Sequence, residues 1–167
     1  MFADSKILVK NPNMEVIEMT VQELISNKDK DSFFVFGMLY VPDGVAYDFV
    51  PYRQVQSRKN NGSGLYKFTY ETPEGIEHSL ICDKFTEVLA GGENYFDSPR
   101  KSDRQLWTSF TSIFNVNDFV YLYNIEGKKC KMVSLEKVNP SEEPNSIYLI
   151  NTKTKNVFVN GLLVKCR

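Results

Sequence analysis

The sequence predicts an all-β fold, mainly β with one short helix near the N-terminus, and three observations carry that prediction. Twelve Phe and nine Tyr are spread over many short apolar runs, and aromatic and β-branched residues suit a pleated, half-buried surface. Turn signals punctuate those runs at Asn11-Pro12-Asn13, Pro42-Asp43-Gly44, Pro73-Glu74-Gly75 and Asn160-Gly161. A helix-start signature is found at Thr20-Val21-Gln22-Glu23, where the Thr hydroxyl can accept from the third helical N–H while Glu23 reaches back.

In chain order, Lys6 to Val9 is a short strand, and Asn11-Pro12-Asn13 turns it into a second strand over Glu15 to Met19. The capping box at Thr20 opens a helix from Val21 to about Asn27, with Met19 and Leu24 placed to form a hydrophobic staple. Phe33 to Tyr40 reads as a buried strand and Tyr47 to Ser57 as a long one, followed by a loop over Arg58 to Gly64. Leu65 to Thr72 and Ile76 to Cys82 pair as a hairpin around Pro73-Glu74-Gly75. The polar segment around 91–104 is a loop or small insertion. Strands resume near Phe119 to Leu122 and over Lys131 to Lys137, and a loop follows over Pro140 to Pro144. The closing stretch holds three short strands: Ile147 to Ile150, Val157 to Val159 and Leu162 to Val164. The run Asn151 to Asn156 turns the first into the second, and Asn160-Gly161 reverses the second into the third.

Size and charge narrow the function classes. A chain of 167 residues is expected to form one domain, 1–167, with a core of ordinary size. A formal net charge of −1 gives no electrostatic footprint for nucleic acid or an anionic membrane. Arg58-Lys59 and Lys128-Lys129 are isolated basic pairs. No apolar run approaches a membrane span, and no signal-peptide core is present. Three cysteines without metal-ligand spacing (Cys82, Cys130, Cys166) suit a reducing compartment such as the cytoplasm, and the single His78 excludes a multi-histidine metal centre. No cofactor is expected. Cys82 and Cys130 read as small core residues, and His78 as a residue of an exposed strand face. Cys166 lies between Lys165 and Arg167, cationic neighbours that would depress a thiol pKa, which makes it the one candidate reactive group. A terminal, solvent-exposed cysteine is nonetheless the reading favoured.

Four stretches in the right order resemble Hint modules, the self-splicing inteins and hedgehog autoprocessing domains. The closing stretch carries Tyr148, Leu149, Asn156, Phe158, Asn160, Gly161, Leu163 and Val164 close to where that family places them. The opening carries Phe2, Ser5, Ile7, Val9, Ile17, Glu23 and Leu24. The 65–82 hairpin leads to Lys84-Phe85-Thr86 and then Gly91-Gly92, similar to the segment that follows the family's Thr-x-x-His motif. Val116-Asn117-Asp118, ahead of Val120, is similar to a Val-Gly-Asp turn feeding a strand, with Asn in place of Gly. The resemblance implies a horseshoe of short twisted strands with the two ends of the domain close together.

It also implies a chemistry, and this sequence departs from it at each site. In the family, an acyl shift needs a thiol or hydroxyl at the first position, where this chain has Met1. The Thr-x-x-His pair strains and protonates the scissile amide, and Leu80 and Asp83 stand at those positions. His78 lies five residues before Asp83, an odd offset that puts it on the opposite strand face. The final His-Asn is replaced by Lys165-Cys166, or one residue is deleted and Cys166 takes the place of the following nucleophile. The expectation is therefore a catalytically silent Hint-like module that is structural or binds protein partners. The alternative is autocatalytic protein splicing or cleavage by a divergent mechanism through Cys166 or His78. Frequent Lys and Asn usage points to an AT-rich genome, with a virus or phage as a candidate home.

Overall fold

The computed structural model describes residues 5–27, 29–42, 44–59, 64–83, 85–92, 106–109, 119–123, 128–139, 141 and 146–166. The expected turn residue Asp43, the insertion residues from 93 onward, the Asn117 turn, the 124–127 turn and most of the 140–144 loop lie outside this set. Among the described residues the fold is mostly strands. In order these are β1 (Lys6–Lys10), β2 (Val16–Thr20), α1 (Val21–Ser26), β3 (Phe34–Val41), β4 (Gly44–Lys59), β5 (Leu65–Glu71), β6 (Glu77–Asp83), β7 (Glu87–Gly92), β8 (Leu106–Ser109), β9 (Phe119–Tyr123), β10 (Lys128–Lys137), β11 (Ser146–Thr152), β12 (Asn156–Val159) and β13 (Leu162–Lys165).

The helix begins as its sequence dictates. Glu23 N–H donates to Thr20 Oγ1 at 3.1 Å, and Thr20 N–H to Glu23 Oε2 at 3.3 Å. Met19 and Leu24 are both buried in the main core. Several expected boundaries shift: Arg58 and Lys59 belong to β4 instead of the expected loop, and the strand expected from Lys131 starts at Lys128. β7 runs through Gly92, so Gly91 and Gly92 belong to a strand instead of the expected insertion. The Asn151–Asn156 turn shrinks to residues 153–155, because Thr152 and Asn156 are buried and hydrogen-bonded as strand residues.

The strands follow one antiparallel path, β11-β4-β3-β1-β12-β13-β7-β9-β10-β5-β6, with β2 on β1 and β8 on β7. The long β4 joins its two parts: Gly44 to Pro51 pairs with β3, and the rest pairs with β11. At the centre, β12 is buried on both faces, as its unbroken apolar run requires. Val157 and Val159 face the main core with Ile7, Val9 and Phe68, whereas Phe158 and Leu163 face a second cluster with Phe36, Met38 and Leu89. The opening and closing stretches meet as expected. Ile7 pairs with Val159, and Lys6 exchanges two hydrogen bonds with Asn160.

The path does not lie flat. β5 and β6 end it, several strands from β12, yet Asn160 at the tip of the β12–β13 hairpin bonds to both. Its Nδ2 donates to Ser79 O at 2.9 Å, and its carbonyl accepts from the Tyr70 hydroxyl. The sheet therefore curls until its far end rests on its middle.

Candidate functional site

Both end strands of the path, β6 and β11, return to the β12–β13 hairpin, and a cavity of about 30 Å³ lies among them. Such a volume has room for one or two water molecules. Leu80 and Cys82 of β6, Ile150 of β11, and Val157, Val159 and Val164 of the hairpin give it apolar walls. Thr86, Tyr148, Leu149, Lys165 and Cys166 complete its lining.

Three of the positions singled out by sequence therefore come together here: Leu80, Lys165 and Cys166. Leu80 is 2% exposed and packs in the main core, so its side chain is wall material. Lys165 points outward and pairs with Glu87 at 3.3 Å. Asp83 is buried beside the cavity, where Oδ1 accepts from Phe85 N–H at 2.9 Å and from the hydroxyl of Thr86 at 3.2 Å. This arrangement is an Asx turn, in which a short carboxylate fixes the backbone that follows it. Met1 lies outside the described residues.

Cys166 is half-buried, not solvent-exposed as favoured from the sequence, and its surroundings do not activate the thiol. Its backbone N–H donates to Lys155 O at 2.9 Å, extending the hairpin ladder one step past β13, and its Sγ lies 3.8 Å from Thr152 Oγ1. Burial pushes its pKa up, and this outweighs the opposing hydrogen bonds from Thr152 and the charge of Lys155. Desolvation penalises the thiolate more than these neighbours favour it, and Lys165 is engaged with Glu87 on the other face of the strand. The thiol is therefore protonated at neutral pH. Cys82 and Cys130 are buried, as expected. Among the described residues no three His, Cys, Asp or Glu side chains gather as a metal site.

His78 also departs from the expected exposed strand face. It is half-buried, pairs across the hairpin with Tyr70 and stacks on that ring with centroids 5.9 Å apart and planes 26° apart. Strand alternation sets it on the face of Leu80 and opposite Asp83, but it does not line the cavity.

Three polar anchors, Asn160, Asn156 and Thr152, were not singled out by sequence as network residues. Asn160 was read as a turn residue, but its side chain spans β1 and β6. Asn156 is 2% exposed, accepts from Met38 N–H at 2.7 Å and donates to Met38 O at 3.0 Å, clamping β12 onto β3. Thr152, fully buried, donates to Asn156 O at 2.8 Å and accepts from its N–H. Their polar character in a turn-like run concealed them. The available signal was Asn156 in the closing stretch of the resemblance.

No protein-family model and no curated protein sequence matches the chain. Solved structures do. An intein from a hyperthermophile superposes with a TM-score of 0.71 at 15% identity, covering 99% of this chain and 97% of that one. The Pab PolII intein in solution gives a TM-score of 0.67 at 15% identity, covering 99% and 98%. An Ssp DnaB mini-intein variant gives 0.59 at 11% identity, covering 99% and 96%. The chain has the intein fold.

Proposed function

We propose, with the intein fold as premise, that this chain is a single Hint-fold domain that has lost self-processing chemistry and serves as a structural or protein-binding module. The observation that carries this reading is the state of Leu80 and Asp83. Protein splicing needs a group that strains the scissile amide and one that protonates it, within about 3 Å of the atoms concerned. At the two positions resembling that pair, an apolar side chain is packed into the core and a carboxylate is tied into its own turn. Three cysteines without metal-ligand spacing suit a reducing compartment.

The test is to place the chain between two reporter proteins and follow the products on a denaturing gel. The expected product is the intact fusion; a ligated reporter pair overturns the reading. One observation favours the alternative of self-processing by a divergent route, namely that the Cys166 thiol lines the cavity. Iodoacetamide labelling at neutral pH separates the two. A nucleophile would label faster than a free cysteine peptide, whereas a buried protonated thiol labels more slowly.

A further inference from the structure

We propose that Asn160 is a succinimide-forming site that the fold holds inactive, and that opening of the β12–β13 hairpin tip turns it on. Asn160 is followed by Gly161, and glycine, with no Cβ, leaves its backbone nitrogen open to approach by the preceding side chain. In the folded chain that side chain is held at both ends by other strands. Oδ1 accepts from Lys6 N–H of β1 at 2.7 Å, and Nδ2 donates to Ser79 O of β6 at 2.9 Å. A backbone N–H can only donate and a carbonyl can only accept, so the two ends of the amide cannot exchange places. The backbone is fixed as well: Asn160 N–H donates to Lys6 O at 2.7 Å, and its carbonyl accepts from the Tyr70 hydroxyl.

The reaction needs the Gly161 nitrogen to reach Asn160 Cγ, so the carboxamide must leave its partners and the backbone must rotate. Once it does, a bond forms between the Gly161 nitrogen and Cγ. The Cγ–Nδ2 bond breaks, and Nδ2 departs as ammonia with the Gly161 amide proton. Water then opens the five-membered ring at either carbonyl, leaving an aspartate or an isoaspartate at position 160. The chain itself is not cut, because the bond that breaks lies in a side chain.

The product cannot restore what the amide held. A carboxylate only accepts, so it can still take the Lys6 N–H but meets the Ser79 carbonyl as a second acceptor where a donor stood. Isoaspartate also adds a methylene to the backbone of the turn that joins the paired Val159 and Leu162. Asn160 ties β6, the end strand of the path, to the central hairpin, so the modification loosens the curl of the sheet. The ammonia is lost to solvent, and a molecule that has once opened at this tip carries a lasting mark of it. This consequence holds whether or not the chain processes itself.

The test incubates the purified full chain at mildly alkaline pH, folded in buffer and unfolded in guanidinium chloride, and follows deamidation by peptide mapping. The second Asn-Gly pair, Asn61-Gly62, gives in denaturant the reference rate for an unprotected site, which Asn160 should match there. Folding should slow Asn160 on the order of thirtyfold or more, the factor carried by two ordinary hydrogen bonds. Tyr70→Phe, with its folding checked by circular dichroism, releases the Asn160 carbonyl and should speed the folded-state reaction about fivefold. Asn160→Asp should unfold at a lower guanidinium concentration than wild type. Equal Asn160 rates in folded and unfolded wild-type chain, measured without any variant, overturn the proposal, as does a Tyr70→Phe rate equal to that of wild type. An Asn160→Asp midpoint equal to that of wild type overturns the loosening of the sheet by the product.

Discussion

Asn160 shows how much one residue can hold. Its backbone and side chain make four hydrogen bonds, two with Lys6, one with Ser79 and one with Tyr70, in a left-handed conformation (φ 50°) that Asn tolerates better than most residues. Asn160→Ala would strand the Lys6 N–H and the Ser79 carbonyl and place an ill-suited residue at positive φ. The expected loss is about 2–4 kcal/mol, read from the urea midpoint at unchanged m-value. Tyr70→Phe removes one of the four bonds and should cost about 1 kcal/mol. Cys130 supplies a pH prediction. Burial, with a smaller contribution from Glu74, pushes its thiol from an ordinary 9.0 up to about 12. Below 9.0 both folded and unfolded chains keep the proton. Between that value and about 12 the unfolded chain ionises and the folded one does not, so stability falls as pH rises. Cys130→Ala should flatten that part of the stability curve relative to wild type, as measured by urea unfolding across the alkaline range.

At the scale of elements, β3 and β12 are held together by the Asn156 amide, and Gly37 makes the approach possible. A Cβ at Gly37 would stand 2.9 Å from Asn156 Oδ1 and 3.1 Å from its carbonyl oxygen, closer than packed atoms tolerate. Gly37→Ala should therefore destabilise by about 1–3 kcal/mol, even though Gly→Ala usually favours a strand. An unchanged melting temperature would show that β3 can shift away from β12 without losing the clamp. The short helix α1 depends on its cap in a different way. With six residues it has few internal hydrogen bonds, so Thr20→Ala should cost about 1 kcal/mol. Chemical denaturation of the single variant measures it directly.

For the whole molecule, the curl of the sheet brings both ends of the strand path onto the central hairpin. That geometry sets the expectation for a repaired chain carrying Met1→Cys, Leu80→Thr, Asp83→His, Lys165→His and Cys166→Asn between two reporters. Leu80→Thr puts a hydroxyl into an apolar wall, and Asp83→His unties an Asx turn, so the repaired protein should be less stable than the parent. It should nonetheless release the upstream reporter slowly in excess thiol, because β1 pairs with the β12–β13 hairpin that leads to the closing residues. A folded, wholly inert product would show that Asp83 does not occupy the position of the family's histidine.

The all-β class, the capping box, the 65–82 hairpin and the Asn160-Gly161 reversal were legible in the sequence. Each rests on local signals: hydrophobic alternation, a cap, or a turn residue with positive φ, as Asn160 and Gly161 both show. The family resemblance also carried the fold and the meeting of the two ends. It named Met1, Leu80, Asp83, Lys165 and Cys166 as the positions matching the family's active site, of which Leu80, Lys165 and Cys166 line one cavity. What no local signal could decide was the environment of each side chain. Cys166 read as an exposed cysteine with cationic neighbours, but packing against distant strands half-buries it and raises its pKa. His78 seemed to belong to an open strand face until Tyr70 covered it. Thr152 and Asn156 read as turn residues, and only the return of β3 and β11 onto β12 made them buried anchors. Turn and strand preferences act between chain neighbours, whereas desolvation and hydrogen-bond satisfaction depend on what the fold brings in from far along the chain.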